Sequence, residues 1–294
     1  MSQVNVITGP TSGIGFETAL LLGKSSKVIL VGRDRAKLAA LKAAIGANAV
    51  SVVADMGDLE SVRRAAAEII AMKLPITGLI NNAGISPMQS SKSPQGYELS
   101  YATNHLGPFV LTEALLPHLP DGANVVFLGS AVEDPDRGPA KMAGFRGARY
   151  ISAEASARGE WLPGGSKIRA SDAYATTKQS TMAAAFALAR EYPRLHINVV
   201  EPGFNPSTGL ARDAPAAVRI VTKILVPLMR PFMKIMTTPK QAAEVVSKAV
   251  QSKETGAYFD ERAGHMKGSA QLHDPKFQDR VVAETRALLA AVEA

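Results

Sequence analysis

The stretch Val4–Gly15, VNVITGPTSGIG, decides the fold, because an apolar strand pattern leads directly into a cluster of glycines. A turn of this kind that opens into a helix needs glycine for a tight bend, for close approach of the backbone to a pyrophosphate and for helix–strand packing. The phosphates then meet free N–H groups and the positive end of the helix dipole. The pattern therefore predicts a dinucleotide-binding turn formed by Gly9, Thr11, Ser12, Gly13, Ile14 and Gly15.

The first two-thirds of the chain alternates short apolar runs with longer segments of helical spacing. Strands are predicted at Val4–Thr8, Val28–Val31, Val50–Ala54, Gly78–Asn81, Asn124–Leu128 and His196–Val200, with a further one at Gly256–Phe259. Helices are predicted at Ile14–Lys24, Arg35–Ala44, Leu59–Met72, Tyr101–Pro117, Asp172–Tyr192 and Pro275–Val292. Because parallel strands need crossover connections, this order predicts an α/β fold with a Rossmann-type, doubly wound parallel sheet of about seven strands. Residues 1–294 show no internal repeat or low-complexity linker and are expected to form a single domain.

Two long segments interrupt this alternation, residues 131–171 after the fifth strand and residues 204–238 after the sixth. Both leave the carboxyl ends of strands, where open α/β sheets bind ligands, and loops this long usually carry function. The second segment is apolar but interrupted by Arg219, Lys223, Pro227, Arg230, Pro231 and Lys234. We expect a substrate lid with an apolar inner face there; an ordinary packing helix and attachment to a membrane surface stay open.

Composition restricts the classes of function. The chain carries 33 Lys and Arg against 26 Asp and Glu, and the resulting charge of +7 suits an anionic ligand such as a phosphorylated cofactor. There is no dense basic run, so no nucleic-acid partner is expected. The absence of cysteine excludes disulfides, thiolate metal sites and thiol nucleophiles, and suits the cytoplasm. The histidines lack ligand spacing, so no metal site is predicted, and neither a signal peptide nor a transmembrane span is expected.

The end of the second strand, Gly32-Arg33-Asp34, bears on the choice between NADP and NAD. NAD-binding enzymes commonly place a carboxylate here, which would repel a 2′-phosphate. In this chain the position is Gly32, and the guanidinium of Arg33 can bind that phosphate through two hydrogen bonds. Arg33 could instead pair with Asp34. We favour NADP(H) as the cofactor and keep NAD(H) as the alternative.

Chemically distinctive residues follow one another along the rest of the chain. They are Asp55 after the third strand, Asn81-Asn82-Ala83-Gly84 after the fourth, Asn104 in Thr103–Gly107, Ser130 after the fifth, Tyr174-Ala175-Thr176-Thr177-Lys178, and Pro202-Gly203 after the sixth. The spacing of Tyr174 and Lys178 alone is weak evidence, since chance produces it in about one such chain in three. In this order the set is specific, and over residues 4–208 the chain resembles the short-chain dehydrogenase/reductase family.

The resemblance implies a role for each residue. Asp55 and Met56 would contact the adenine ring, Asn82, Ala83 and Gly84 would serve the sheet and the ribose side of the cofactor, and Pro202, Gly203, Ser207 and Thr208 would contact the nicotinamide end. The catalytic set would be Asn104, Ser130, Tyr174 and Lys178. Tyr174 would exchange a proton with the substrate oxygen and Ser130 would hydrogen-bond it. Lys178 would bind the nicotinamide ribose, and Asn104 would hold a water that joins Lys178 to solvent.

Physical chemistry is consistent with these roles. Tyr174 and Lys178 lie four residues apart and so share one helical face. A free phenol has a pKa of about 10, too high for efficient proton exchange at neutral pH. We expect the Lys178 ammonium and an oxidised nicotinamide to lower the pKa of Tyr174.

The distance along the chain from Ser130 to Tyr174 indicates a branch of the family. The insertion at residues 131–171 between them resembles the carbonyl reductases, the retinol-dehydrogenase-like enzymes and the protochlorophyllide reductases. The last group also uses a cysteine near its substrate, so chlorophyll chemistry is not expected of this cysteine-free chain. The catalytic helix often forms a dimer interface in the family. Because the insertion precedes that helix, we expect a monomer, with a dimer as the alternative.

These features together predict an NADP(H)-dependent oxidoreductase whose small-molecule substrate is an apolar ketone, aldehyde or secondary alcohol. An NAD-dependent alcohol dehydrogenase and a regulatory protein that senses NADP(H) without catalysis are the alternatives. A sensor would be expected to have lost Tyr174 or Lys178, and both are present. A third class is a module that binds a membrane surface or a polyanion, which predicts salt-sensitive binding to anionic vesicles or DNA.

Overall fold

Parallel strands form the centre of the protein in a computed structural model that describes residues 3–87, 89–204 and 236–291. The sheet has seven strands in the order β3-β2-β1-β4-β5-β6-β7, and every neighbouring pair is parallel. The strands are β1 Val4–Thr8, β2 Lys27–Gly32, β3 Ala49–Val53, β4 Ile76–Asn81, β5 Asn124–Leu128, β6 His196–Val200 and β7 Tyr258–Phe259. Most of their side chains are buried, because helices cover both faces of the sheet. The predicted Rossmann-type, doubly wound sheet is confirmed.

Two helical layers enclose this sheet. The described helices are α1 Gly13–Leu22, α2 Arg35–Ile45, α3 Leu59–Ala71, α4 Leu99–Tyr101, α5 Gly107–Leu115, α6 Gly138–Met142, α7 Ala153–Arg158, α8 Arg169–Glu191, α9 Pro239–Ala249 and α10 Pro275–Ala290. Side chains of α1, α2 and α9 build the apolar core on one face of the sheet. Those of α3, α5, α8 and α10 build the core on the other face.

The sequence-based boundaries agree with the observed strands to within two residues, and β1, β5 and β6 match at both ends. The helices differ more. The sequence analysis did not predict α6 or α7 within residues 131–171, nor α9. For α9 a signal was present, because Thr238 and Gln241 form a capping box around Pro239 at the first helical position.

The helix predicted at Tyr101–Pro117 is present, but its α-helical geometry is interrupted by a turn that the sequence analysis did not predict. A π turn at Ala102–Leu106 separates α4 from α5. The physical reason is Pro108, which has no N–H to donate to the carbonyl of Asn104 one turn earlier. The Thr181 hydroxyl donates to that carbonyl instead, at 2.9 Å, and so joins the interrupted helix to α8.

The chain order within the sheet reverses between β1 and β4, and ligands bind at such a reversal in open α/β sheets. The carboxyl ends of β1, β2, β4, β5 and β6 all face the same edge, so the loops that follow them meet there. Within the described residues, no helix combines the length and the apolar character needed to cross a bilayer.

Candidate active site

A cleft of about 770 Å³ lies at this edge of the sheet. Predicted cofactor and catalytic residues from distant parts of the chain line it together: Gly9, Thr11, Ser12, Gly13, Ile14, Arg33, Asp55, Met56, Asn82, Ala83, Gly84, Tyr174, Lys178 and Pro202. Its volume is typical of cofactor sites, which are concave and largely preformed. The structure therefore brings these residues together at one cleft, whereas the predicted residues Gly15, Asn104, Ser130 and Gly203 do not line it.

The glycine turn between β1 and α1 leaves room for a phosphate close to the main chain. Gly9 and Gly13 have φ angles of 66° and 58°, a region that favours glycine. A Cβ on Gly15 would collide with the amide of Asn82 and the carbonyl of Gly9. The first turn of α1 carries no acidic side chain that would repel an anion from the positive end of the helix dipole. The turn thus fits the pyrophosphate of a dinucleotide cofactor.

Asn82 holds the glycine turn in place from the end of β4. Its Nδ2 donates to the carbonyls of Thr8 and Gly9 at 2.9 and 3.1 Å. In return, the main-chain N–H groups of Asn82 and Ala83 each donate to Thr8 Oγ1 at 3.0 Å. These bonds join the ends of β1 and β4, so the predicted role of Asn82 in the integrity of the sheet has a clear structural basis.

Charged side chains stand at the end of β2 and the start of α2. The Asp34 carboxylate caps α2 by accepting from Lys37 N at 3.0 Å, and Lys37 Nζ lies 3.1 Å from it. Arg33 therefore does not pair with Asp34, which corrects the alternative considered from the sequence. Its Nη1 lies 3.8 Å from Asp55 Oδ2, and both side chains are exposed. A long, exposed pair of this kind contributes little, so a phosphate can replace the carboxylate.

Asp55 and Met56 follow β3 and lie at the same end of the cleft as Arg33. Asp55 Oδ1 accepts from Gly57 N at 2.9 Å, which turns the chain toward α3, and Met56 is buried. Both residues line the cleft beside Arg33, where the predicted contacts with an adenine ring would be made.

Helix α8 presents Tyr174 and Lys178 to the cleft from successive turns. The Lys178 side chain is 6% exposed, and its Nζ donates to the carbonyl of Leu128 at 2.8 Å and lies 5.7 Å from the centre of the Tyr174 ring. Burial lowers the pKa of Lys178 to about 8, while the Glu201 carboxylate acts in the opposite direction. The ammonium is thus fixed beside the tyrosine ring at the end of β5.

The Tyr174 phenol is half-buried. Burial raises the pKa of Tyr174, the Glu201 carboxylate raises it further, and a hydrogen bond with the Ser130 hydroxyl lowers it. The residues of the chain alone thus do not produce the predicted lowering by Lys178. Tyr174 is consequently protonated at neutral pH, the form that can donate a proton to a carbonyl oxygen.

Asn104 lies buried in the π turn, and its side-chain amide is hydrogen-bonded to other groups of the protein. Its Oδ1 accepts from Ile85 N at 2.7 Å, and its Nδ2 donates to Ile85 O at 2.8 Å and to Thr177 Oγ1 at 3.1 Å. Asn104 thereby joins the loop after β4 to α8, one residue from Lys178. The water that Asn104 would hold for Lys178 stays a prediction.

The nicotinamide end is described in part. Pro202 lines the cleft, and Gly203 follows it with a φ of 76°. Ser207 and Thr208 lie outside the described residues. The same holds for residues 205–235, which make up most of the predicted lid at 204–238. The lid and the two hydroxyl contacts therefore stay predictions.

The sequence analysis missed Glu201, a buried carboxylate next to the catalytic set. Its side chain is 7% exposed, accepts a short hydrogen bond from Ala131 N through Oε2 and accepts from Gly203 N through Oε1 at 2.9 Å. A charged residue directly after the apolar strand His196–Val200 was the available signal. Its importance comes from side-chain direction, which residue order does not give.

Phe145, in the insertion, is the second residue that the sequence analysis missed. Its half-buried ring lies 6.4 Å from the ring of Tyr174, measured between centroids. The insertion therefore places an aromatic ring beside the ring of Tyr174. Insertions seldom reveal such a residue in advance, because their side-chain directions depend on the whole fold.

The insertion is itself held by α10, which packs along the outer face of α8. Glu284 accepts from Tyr150 OH at 2.6 Å and from Ala153 N at 3.0 Å. Its neighbour Thr285 is hydrogen-bonded to His105 at 2.9 Å. The last described helix thus fastens together the insertion, the π turn and the catalytic helix.

Comparisons with known proteins agree with this geometry. A family model described as short chain dehydrogenase matches residues 3–140. A short-chain dehydrogenase/reductase of Armillaria gallica is 31% identical over 213 residues, which cover 70% of this chain and 65% of the relative. Retinol dehydrogenase 11 of Mus musculus is 38% identical over 127 residues, which cover 41% of this chain and 40% of that protein. The matched region thus spans less than two thirds of either relative.

Solved structures show the same fold over almost the whole chain. The crystal structure of an uncharacterised protein from Mycobacterium paratuberculosis superposes with a TM-score of 0.70 at 24% identity, covering 97% of this chain and 92% of that one. At this low identity the solved structures show the fold alone. The sequence relatives and the ordered site residues bear on the family. The sequence similarities support membership of the short-chain dehydrogenase/reductase family.

Proposed function

We propose that this protein is an NADP(H)-dependent oxidoreductase that interconverts a carbonyl group and an alcohol. One observation carries the proposal: Tyr174 and Lys178 line the same cleft as the glycine turn, and the Ser130 hydroxyl is close enough to the Tyr174 phenol to lower its pKa. A proton donor thus stands at the far end of a cradle suited to a dinucleotide. A cofactor sensor would need the cradle and would have no use for the donor.

The chain's own residues supply the acid–base chemistry. The nicotinamide, when bound, supplies or accepts the hydride. Tyr174, held protonated by burial, donates its proton to the carbonyl oxygen during reduction. Ser130 hydrogen-bonds the same oxygen and so fixes the carbonyl beside Tyr174. Lys178, tied to the carbonyl of Leu128, holds its positive charge next to the phenol and favours the phenolate that proton transfer leaves behind.

The preference for NADP(H) is supported by the charges at the end of β2. Arg33 and Lys37 line the adenosine end of the cleft, and Gly32 occupies the position where a carboxylate would repel a 2′-phosphate. Within the part of the chain that the structure describes, Arg33 pairs only with Asp55, over a long and exposed contact. A planar guanidinium in that setting suits bidentate binding of a phosphate.

An apolar substrate is supported by the aromatic ring that lies beside Tyr174. Phe145 lies beside Tyr174, and an aromatic ring there favours a carbonyl compound with an apolar or aromatic substituent. The retinol dehydrogenase similarity is compatible with a substrate of that class. The proposed substrates are therefore apolar ketones, aldehydes or secondary alcohols.

The proposal also includes a monomeric state. Helix α10 covers the outer face of α8, with Arg286 within 3.0 Å of both Glu113 and Glu191. Because α8 is thereby covered within the chain, that face is closed to a second copy. Light scattering should give the mass of one chain, 31.0 kDa. The lack of cysteine suits a reducing compartment, and we place the activity in the cytoplasm.

The proposal is tested by Tyr174→Phe in a panel of apolar carbonyls and alcohols assayed with NADPH/NADP and NADH/NAD. Removal of the phenol should lower kcat on the order of 10²–10⁴-fold, the usual contribution of general acid catalysis, with NADPH affinity retained. Tyr192→Phe, the same change at the far end of α8, is the control and should keep full turnover. Substantial turnover by Tyr174→Phe would refute the mechanism. No turnover by the natural chain, despite tight NADPH binding, would favour a sensor.

A further inference from the structure

Glu201 lies between two loops whose relative position matters for the proposed reaction. One loop begins with Ser130 at the end of β5, and the other contains Pro202 and Gly203 at the end of β6. The Glu201 carboxylate accepts from the first loop at Ala131 N and from the second at Gly203 N. Its two oxygens thus connect the substrate-binding loop to the nicotinamide-binding loop.

This connection is specific to a carboxylate. Two main-chain N–H donors converge on it, one on each oxygen, and the Tyr258 hydroxyl lies 3.5 Å from Oε2. An amide of the same shape has one acceptor oxygen, so its NH₂ group would face one of the two N–H groups. Replacement by glutamine would therefore leave one buried donor without a partner, at the residue after Ser130 or at Gly203.

The carboxylate also acts on the groups that surround it. From α8 it is faced by Tyr174 and Lys178, from β7 by Tyr258, and from the turn after β7 by Glu261. Burial raises the pKa of Glu201, whereas the two main-chain N–H donors and the Lys178 ammonium favour its ionised form. The Glu201 carboxylate in turn favours the charged form of Lys178. Both side chains are buried, so water screens the interaction between their charges only weakly.

We infer that Glu201 is a positioning residue of the active site, whose carboxylate holds the loop that contains Ser130 and Ala131 at a fixed separation from Gly203. The inference rests on the proposed function for its kinetic consequences. Its electrostatic consequence, the charge state of Lys178, belongs to the chain alone.

The electrostatic consequence is tested by NMR. The titration of the Lys178 side chain is followed through its ¹³Cε shift in uniformly labelled protein, with Lys178→Arg used to assign the signal. Because Glu201 favours the charged lysine, Glu201→Gln should move the titration of Lys178 to lower pH. An unchanged titration would overturn the inference, whether or not a substrate has been found.

The kinetic consequence is tested by the pH profile of kcat/KM for the carbonyl at saturating NADPH. Loss of the Glu201 charge lowers the pKa of both Tyr174 and Lys178. The proton-donating tyrosine and the cationic lysine are then both lost at lower pH, so the alkaline limb of reduction should shift to lower pH. The value of kcat should also fall about tenfold or more, as expected for one lost charge-assisted hydrogen bond.

Two further variants separate charge from position and from simple burial. Glu201→Asp keeps the charge but shortens the reach, so kcat should fall while the Lys178 titration stays in place. Glu133→Gln removes another buried carboxylate from the same loop, one bonded to Ser269 and Gln179, and should move neither the titration nor the alkaline limb. A Glu201→Asp variant with unchanged kcat, or a Glu133→Gln variant that shifts the alkaline limb as Glu201→Gln does, would overturn the inference. An inactive Tyr174→Phe combined with an unshifted Glu201→Gln profile would leave the proposed function standing and remove only this inference.

Discussion

The two ends of the cleft are built in different ways. At the cofactor end, main-chain geometry dominates: the glycine turn, the Asn82 bonds to β1 and the cap of α2 by Asp34. At the substrate end, the walls depend on side chains whose partners are remote in sequence. Tyr150 is bonded to a residue 134 positions away, and His105 to one 180 positions away. Local main-chain geometry therefore builds most of the first end, with the Asn82 bonds as its long-range link, and long-range packing builds the second.

This contrast predicts that the two ends can be altered independently. A substitution at the substrate end should change kcat or the KM for the carbonyl and leave NADPH affinity intact. A substitution at the cofactor end should do the reverse. Helix α8, with Tyr174 and Lys178, is the element that both ends share.

Among substitutions confined to one end of the cleft, the largest effect is expected at the substrate end, from Ser130→Ala. Loss of a hydrogen bond to the developing negative charge should lower kcat on the order of 10²–10³-fold. The Kd of NADPH, measured by fluorescence titration, should stay unchanged. Ser152→Ala is the control, because the Ser152 hydroxyl caps α7 in the insertion and lies away from Tyr174. A comparable loss of NADPH affinity in Ser130→Ala would contradict the separation of the two ends.

At the cofactor end, Gly15→Ala should weaken NADPH binding. The new Cβ would collide with the Asn82 amide and push it from the glycine turn. Overpacking of this kind costs about 1–3 kcal/mol of folding stability. Because relief of the collision displaces the phosphate-binding turn, we expect the Kd of NADPH to rise about tenfold. Gly138→Ala adds the same methyl group where the structure leaves open space and should bind NADPH normally. If both variants bind equally well, the close packing of Gly15 is not what shapes the phosphate site.

Arg33→Ala should change the choice of cofactor. Loss of a charged hydrogen bond to the 2′-phosphate should raise the KM for NADPH about tenfold or more and leave the KM for NADH almost unchanged. Arg35→Ala removes the same charge two residues further on, outside the cleft, and serves as the control. Equal effects of Arg33→Ala on the two cofactors would exclude Arg33 as the phosphate ligand.

The smallest effect is expected from Phe145→Ala, which removes the aromatic ring beside Tyr174. The KM for an apolar carbonyl should rise roughly 3–10-fold, since only part of the ring's contact with a substrate is lost. Met142→Ala, at a side chain that is 90% exposed in the same insertion, should have no effect. A rise in the KM for NADPH would show that the insertion also serves the cofactor end.

The sequence predicted the sheet well because each strand is a short apolar run between polar or glycine-rich turns, and such runs depend little on distant residues. It predicted which residues meet at the cleft because the carboxyl ends of neighbouring parallel strands share one edge. The π turn around Asn104 was not predicted, although Pro108 was visible in the sequence. The directions of side chains could not be predicted from the sequence. Glu201 and Phe145 gain their importance from what they face, and that depends on packing between segments far apart in the chain.

The position of α10 has a consequence for the order of events during synthesis. The sheet strands β1–β6 and helix α8 emerge from the ribosome before residues 275–290, which cover the apolar side of α8. Until then the catalytic helix has no lasting cover on that side, and the insertion lacks Glu284, its anchor. We expect the cofactor half to acquire protection from proteolysis first and the catalytic half to require nearly the full chain, so nascent chains halted before residue 275 should depend most on chaperones.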